Sequence, residues 1–428
     1  MTALAGVPRL RRTELAELLS PGGAGASWLL SGGVGLAAFA VYFVRSLPLA
    51  NKLWAEDASV YLTNAYNHPW GGIVKPYNGY LDLAPGILEL PLRLVSPRDA
   101  PLAIIVTTGV VYGLVAVLTT RVASLYLRSA ALAVVLGLAT VLEPILGQEA
   151  IAELGAIQFV LVFALFWLVL LPTRGVSVWA VAGVLLIALT SPLALAAIPL
   201  ALFLAWLSRP KRALVAALVV GGVVEGAIHL SGAGGQRGAT GESAAGAGLR
   251  GLERLFASLA PNQLAGSAAS RAGVSLVVLL LLVLTLGALI GRGGKMRPAL
   301  GLGVLAFVSC VWFELFAAVA NHGSADRYLV PSSLFLIVAL VAAADEIAAA
   351  PPPRARVALL SCASICILAL AAVAGDWRPG TWRSSSLPWD AQVTKAMHRC
   401  AASPRRDVVG IPAGAFPWAV AEVPCSRL

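Results

Sequence analysis

The sequence predicts an all-α polytopic membrane protein, and three observations lead to this fold class. Hydrophobic residues make up 59% of the 428 residues, and charged residues make up only 12%. Apolar runs recur along the chain, each about twenty residues long, which is the length that crosses a hydrocarbon core. The short alternating segments typical of a transmembrane β-barrel are missing. We therefore expect about eleven transmembrane helices and no separate soluble domain.

The predicted spans are the apolar runs themselves, and each ends where charged residues, Pro or Gly interrupt the run. Their boundaries are residues 27–44, 101–120, 130–146, 154–171, 176–190, 192–207, 213–230, 274–290, 299–320, 328–344 and 357–374. About 26 residues precede the first run, and no small-residue cleavage site follows it closely. We therefore expect this run to stay in the protein as the first span.

Basic residues occur in short clusters between the apolar runs, and this pattern indicates the topology. With the N-terminus inside, the inner loops hold residues such as Arg209 and Lys211, as the positive-inside rule requires. The net charge of +10 is then explained by topology and not by nucleic-acid binding. We expect a cytoplasmic segment over residues 1–26, a transmembrane domain over residues 27–374 of the plasma (inner) membrane, and an extracytoplasmic tail over residues 375–428.

The cysteines fit this placement of the tail. Cys310, Cys362 and Cys366 lie inside apolar runs and are predicted to be small core residues. Cys400 and Cys425 are the only two cysteines of the tail, which would lie in an oxidising compartment. We therefore predict a disulfide between Cys400 and Cys425.

Two long outer loops are expected, over residues 50–100 and 231–271. The second is rich in Gly and Ala and is either a segment that becomes ordered on ligand binding or a disordered connection. The tail contains tryptophans, among them Trp418, which an aromatic belt at the membrane interface would explain; contact with a substrate is the alternative. Chemistry is expected mainly in the first loop, because it places carboxylates among tyrosines and tryptophans beside a bilayer.

The acidic pair Glu56 and Asp57 is the strongest candidate for chemistry in the first loop. A carboxylate just outside a span can act as a general base and remove the proton of an acceptor hydroxyl. Two adjacent side chains cannot both face one point on a regular helix, so one is predicted to be catalytic and the other supporting or metal-binding. We favour Asp57 as the base. A helix cap or a solvated acidic turn is the structural alternative.

The segment from Lys75 to Asp82 follows the acidic pair, and its Pro and Gly predict a fixed turn. Lys75 supplies a cation that could bind a phosphate. Tyr77 and Tyr80 supply flat faces on which sugars stack, and Asn78 lies between them. We predict Lys75, Tyr77, Asn78 and Tyr80 to bind substrate, although an interfacial aromatic belt would also place tyrosines here.

Two further clusters lie near the predicted outer ends of spans. His322, Asp326 and Arg327 lie between two long spans, and Arg327 is a candidate phosphate ligand because guanidinium matches phosphate oxygens bidentately. Asp326 either joins the site or pairs with Arg327. Glu153 and Gln158 surround another outer turn, where they could bind an acceptor hydroxyl or a metal, or serve structure only.

Motifs of other functional classes are missing. The sequence has no GxxxxGK[ST] phosphate-binding loop, no GxGxxG between a strand and a helix, no CxxC pair and no HExxH zinc site. Nucleotide-driven transport by this chain alone is therefore not expected. We assign no cofactor and no metal ligands, and the need for a divalent metal stays open.

The chain resembles the GT-C class of membrane glycosyltransferases, which use polyprenyl-phosphate sugars as donors. The matching features are Trp54-Ala55-Glu56-Asp57 in a long first outer loop, the number of spans, and a second long outer loop at residues 231–271. Together with Pro76-Tyr77-Asn78-Gly79-Tyr80-Leu81, these residues also look like a group of poorly characterised actinobacterial membrane proteins.

The resemblance implies an inverting transfer with one base, Asp57 or Glu56, and a donor phosphate near Arg327. The acceptor would be a glycan or glycolipid of the cell envelope, and only some members of the class use a metal. A transporter or flippase of a lipid-linked precursor is the alternative, because many spans with few intramembrane charges also suit alternating access. The halves of the chain show no evident repeat, and the polar residues concentrate in the outer loops, so we favour the enzyme over transport or a non-catalytic assembly role.

Overall fold

The computed structural model describes residues 25–146, 150–233, 298–321, 326–348, 377, 386–403, 407–414 and 416–428. Four predicted segments fall wholly or largely outside these residues: the spans 274–290 and 357–374, the loop 231–271 beyond residue 233, and the cytoplasmic segment 1–26 except for its last two residues. His322, Cys362 and Cys366 also lie outside the described residues.

The described chain is mostly helical, as the sequence predicts. Its helices are α1 (Trp28–Ser46), α2 (Thr63–Asn67), α3 (Leu83–Leu88), α4 (Ala100–Tyr126), α5 (Ala130–Leu142), α6 (Ile157–Leu170), α7 (Val178–Ala188), α8 (Ile198–Leu207), α9 (Arg212–Ser231), α10 (Pro298–Asn321), α11 (Leu329–Ala348) and α12 (Trp389–Ala402). Two strands, β1 (Val408–Pro412) and β2 (Val420–Pro424), form an antiparallel sheet. The sheet was not predicted.

Five helical segments within the described ranges are long and apolar enough to cross a membrane. They are Trp28–Leu49, Pro97–Tyr126, Arg209–Ser231, Pro298–Ala317 and Leu329–Ala348. Four shorter apolar segments accompany them: Ala130–Leu142, Ile157–Leu170, Val178–Ala188 and Pro192–Leu207. Each of these segments coincides with a predicted span, which confirms a helical membrane protein. The total number of spans stays a prediction.

The first span packs closely on the second through small residues. A Cβ added to Gly35 of α1 would lie 2.9 Å from the carbonyl oxygen of Gly113 in α4. Because lipid chains are as apolar as the helix surfaces, helix association in a bilayer depends on such close packing. The spans share one large apolar core, which includes Tyr42 of α1 stacked on Tyr112 of α4 with ring centroids 4.7 Å apart.

A buried arginine joins the ends of several spans. Arg45, in the last turn of α1, is 1% exposed. Its Nη1 donates to the carbonyl oxygens of Val141 (2.9 Å) and Glu143 (3.1 Å) at the end of α5, and its Nε donates to the carbonyl oxygen of Trp377 (3.3 Å). The last carbonyls of a helix lack partners within the helix, so one guanidinium satisfies groups that would otherwise be buried without hydrogen bonds. No pattern in the sequence indicated this role for Arg45.

The tail docks on the first loop, residues 50–100, and the two form a second apolar core. Trp389 of α12 is fully buried, and its Nε1 donates to the carbonyl oxygen of Pro97 (2.6 Å). Its backbone N–H donates to the carbonyl oxygen of Asn51 (3.0 Å). At the sheet, the backbone N–H of Glu422 donates to Oγ1 of Thr63 (2.9 Å). The helix α12 and the sheet of the tail are therefore both held on the first loop.

The strands are short but their burial alternates as expected for a sheet with one covered face. Val409 and Ile411 of β1 are buried, as are Ala421 and Val423 of β2, and Val409 lies opposite Val423. These side chains belong to the second core together with residues of the first loop. The described part of the tail is therefore a helix and a hairpin built onto the first loop.

The predicted disulfide between Cys400 and Cys425 is present, with Cα atoms 5.7 Å apart. It links α12 to the residue that follows β2. Cys310 is buried in the core of the spans, as predicted. The disulfide therefore links the helix that carries Trp389 to the end of the hairpin that carries Glu422, and both of these residues contact the first loop.

Removing the disulfide should loosen the tail. We expect Cys400→Ser together with Cys425→Ser to remove about 3 kcal/mol of stabilisation in the chain-entropy model, and to speed amide hydrogen exchange in α12 about a hundredfold. Cys310→Ala is the matched control and should leave this exchange unchanged. Equal exchange rates in the double variant and the wild type would show that docking alone holds the tail.

Candidate functional site

The two acidic side chains of the pair point in different directions. The backbone at this point is a π-helix, Asp57–Leu62, a form that occurs often at functional sites. Asp57 is 1% exposed, and its Oδ1 accepts a hydrogen bond from the backbone N–H of Leu154 (2.9 Å), just before α6. Glu56 instead lines a cleft. The division of roles within the pair and the choice of Asp57 as the base both stay predictions.

The cleft has a volume of about 430 Å³ and is built from three distant parts of the chain. Its lining residues are Trp54, Glu56 and Tyr77 of the first loop, Arg327 before α11, and Phe416 and Trp418 of the tail. Three of the predicted site residues, Glu56, Tyr77 and Arg327, therefore meet in one cavity. The tail residues complete the wall.

The chemical character of this wall is simple. Glu56 is the carboxylate and Arg327 the guanidinium among the lining residues. The other four are aromatic: Trp54 meets Phe416 edge to face at 6.2 Å, and Phe416 stacks on Trp418 at 5.5 Å. Within the described ranges, no three His, Cys, Asp or Glu side chains lie close enough together to hold a metal ion.

The predicted turn is present and explains how Tyr77 reaches the cleft. The backbone groups of Tyr77 and Tyr80 exchange two hydrogen bonds (2.8 and 3.2 Å). Asn78 and Gly79 between them have φ angles of 53° and 83°, and Asn and Gly are the residues that adopt this left-handed conformation most readily. Asn78 thus has a clear role in the backbone turn. Lys75 is exposed and is not among the lining residues of the cleft.

Other predicted binding residues are not among those that line the cleft. Gln158 Nε2 donates to the hydroxyl of Tyr80 (3.4 Å), and its Oε1 accepts from the hydroxyl of Ser191 (2.8 Å). Glu153 is 3% exposed. Asp326 begins the 3₁₀ turn Asp326–Tyr328, which contains Arg327 and directly precedes α11. None of Tyr80, Gln158 and Glu153 is among the lining residues of the cleft, and their role in binding stays a prediction.

Two buried carboxyl groups of the first loop were not singled out in the sequence. Asp82 is 3% exposed, and its Oδ2 accepts a short hydrogen bond from the hydroxyl of Tyr61. Glu89 is fully buried beneath Gly72, where an added Cβ would collide with Oε1, and neither carboxyl oxygen of Glu89 has a hydrogen-bond partner in the described part of the chain. The backbone N–H of Leu81 donates to the carboxylate of Glu225 in α9 (3.1 Å). These contacts fix the loop behind the turn.

Burial keeps protons on these groups near neutral pH. It raises the pKa of Asp82 to about 8, although the hydrogen bond from Tyr61 opposes the shift. It also raises the pKa of Glu89 to about 9, with a further contribution from the charge of Asp82. A carboxyl group without hydrogen bonds is tolerated in an apolar site only in its neutral form.

Stability should fall as pH rises. Between the ordinary pKa values of these carboxyl groups, 3.8 and 4.5, and the raised values, the folded state holds more protons than the unfolded state, so stability decreases from about pH 4 to about pH 9. We expect Glu89→Gln, a neutral replacement, to flatten the decline of the melting temperature from about pH 6 to about pH 9.

The exposed Asp407 provides the control for this measurement. Asp407→Asn should leave the slope of melting temperature against pH as it is in the wild type. A Glu89→Gln variant with the wild-type slope would mean that Glu89 is already ionised in the folded protein at neutral pH.

The cleft thus combines a carboxylate, a guanidinium and aromatic walls on the face of the molecule where the first loop meets the tail. Three of its lining residues were predicted from the sequence, and the tail residues Phe416 and Trp418 were not assigned to the site. The tail is visibly rich in aromatic residues. Nothing in that pattern indicated that the tail would pack on the first loop and place Phe416 and Trp418 in the cleft. No protein-family model and no curated protein matches this sequence.

Proposed function

We propose that the protein is an inverting glycosyltransferase that moves a sugar from a polyprenyl-phosphate donor to a glycan or glycolipid acceptor of the cell envelope. The observation that carries the proposal is the cleft, in which Glu56, Arg327 and the aromatic residues surround one space of about 430 Å³. The proposal also draws on the resemblance to the GT-C class, whose acidic pair corresponds to Glu56 and Asp57.

Glu56 is the base in this proposal, in place of Asp57. Its side chain lines the cleft, whereas the Oδ1 of Asp57 accepts a hydrogen bond from the backbone N–H of Leu154. Asp57 then acts as a positioning residue, because it ties the π-helix that follows Glu56 to the backbone just before α6. A single base is sufficient for a displacement that inverts the anomeric centre.

The reaction follows from these positions. The Glu56 carboxylate takes the proton of the acceptor hydroxyl while the hydroxyl oxygen forms a bond to the anomeric carbon. The bond between that carbon and the phosphate oxygen breaks, and the electron pair leaves with the polyprenyl phosphate. Arg327 stabilises the negative charge that develops on the phosphate, since guanidinium binds phosphate oxygens through two parallel hydrogen bonds.

The aromatic walls suit a carbohydrate. Trp54, Tyr77 and the stacked pair Phe416 and Trp418 offer flat apolar faces, and Trp418 is 50% exposed. Sugars present faces of C–H groups that pack on such rings, while their hydroxyls remain available for hydrogen bonds at the rim. A flippase would need no base beside these faces, and substrate movement without chemistry is the outcome that would favour it.

The first test is transfer from a panel of radiolabelled polyprenyl-phosphate sugars in membranes that contain the protein. We expect Glu56→Gln to lower the rate about a hundredfold or more, because it removes the general base. Asp57→Asn should lower the melting temperature more than Glu56→Gln does. Glu422→Gln, which removes an exposed carboxylate of the tail, is the control and should transfer at the wild-type rate.

The result decides between the classes of function. Full transfer by Glu56→Gln with loss in a well-folded Asp57→Asn would return the role of base to Asp57. If no donor gives transfer while labelled lipid crosses vesicles that contain the wild type, the protein is a transporter and not an enzyme.

Arg327 is tested by binding instead of turnover. We expect Arg327→Gln to weaken the binding of polyprenyl phosphate by about tenfold, because it removes a charge-assisted bidentate contact, while Arg327→Lys keeps the charge and loses less. Fluorescence or calorimetric titration of the purified protein measures this. Equal affinity in Arg327→Gln and the wild type would remove the phosphate from this part of the cleft.

A further inference from the structure

A second cleft lies on the first loop, apart from the residues of the candidate site. It has a volume of about 530 Å³ and is lined by Trp70, Leu90, Pro91, Arg93, Leu94 and Arg427. None of these residues lines the cleft of Glu56. The second cleft therefore needs an explanation of its own.

Two guanidinium groups face this cleft, and each is held by an aromatic ring. Arg93 lies over the ring of Trp70, 5.9 Å from its centroid, and Arg427 lies over the ring of Tyr66 at 5.7 Å. In the part of the chain that the structure describes, neither guanidinium forms an ion pair with a carboxylate. Cation–π contacts position a guanidinium without neutralising it, so both charges remain available to an anion.

The other walls are apolar and strongly exposed. Leu94 is 84% exposed and Trp70 is 68% exposed. The 3₁₀ segment Leu90–Leu94 ends just before Pro97, where the candidate span Pro97–Tyr126 begins. The cleft thus lies at the end of a span, at the level where a bilayer places its headgroups and where tryptophan and arginine are common.

We propose that this second cleft binds an anionic phospholipid. The phosphate would lie between Arg93 and Arg427, and the upper part of the acyl chains would cover Leu90, Leu94 and Trp70. A soluble phosphate would use the two arginines but would leave the exposed leucines in water, whereas a lipid satisfies both the charge and the apolar wall. The site would anchor the first loop and the end of the tail to the bilayer surface, because Arg93 belongs to one and Arg427 to the other.

Native mass spectrometry of the full-length protein in detergent tests this proposal by titration with phosphatidylglycerol. We expect the wild type to retain the lipid and the double variant Arg93→Gln, Arg427→Gln to bind it about tenfold more weakly, since two charge-assisted contacts are lost. Arg98→Gln is the matched control. Arg98 is an exposed arginine of the same loop, 3.9 Å from the carboxylate of Asp390, and it does not line the cleft.

Two further probes separate a lipid from a simple anion. Diacylglycerol lacks the phosphate and glycerol phosphate lacks the chains, so both should bind the wild type more weakly than phosphatidylglycerol. Leu94→Gln keeps both arginines and replaces an exposed side chain, so it should weaken phosphatidylglycerol and leave glycerol phosphate unchanged. Equal phosphatidylglycerol affinity in the double variant and the wild type, or glycerol phosphate binding as tightly as the lipid, would overturn the proposal.

Discussion

The packing of the tail on the first loop is the interaction on which the candidate site depends. Trp389 is buried against Pro97 and Asn51, and the hairpin adds its apolar face to the same core. This core is distinct from that of the spans, and the connection between its two strands carries Phe416 and Trp418, which line the cleft. Without this packing, Glu56 and Arg327 would face an open surface, and water would screen the charges that the proposed chemistry uses.

The adjacent carboxylates of Glu56 and Asp57 lie in different surroundings. The carboxylate of Asp57 accepts a hydrogen bond from the backbone N–H of Leu154, just before α6. This contact fixes the backbone next to Glu56. Glu56, the residue before Asp57, lines the cleft. The same logic holds behind the turn, where Gln158 and Ser191 support Tyr80 while Tyr77 faces the cavity.

The sequence predicts those features that depend on local pattern. Apolar runs long enough to cross a bilayer locate the described spans, two tail cysteines predict the disulfide, and Asn78-Gly79 marks its turn. Contacts between segments that are remote in sequence could not be predicted. Phe416 reaches Trp54 only through the hairpin, and the partners of Arg45 are carbonyl groups, which every residue carries and no pattern distinguishes. The π-helix that begins at Asp57 is likewise a backbone form that no periodicity in the sequence indicates.

The order of the cleft-lining segments along the chain has a consequence for biogenesis. Trp54 and Glu56 follow the first described span, whereas Phe416 and Trp418 follow all the described spans and lie between the two cysteines of the disulfide. During synthesis, the earlier wall of the cleft is made hundreds of residues before the later one. The cavity can therefore form only after the tail has been synthesised and has docked on the first loop. A chain that lacks its tail has no complete cleft of this kind, so the candidate site is completed only late in synthesis.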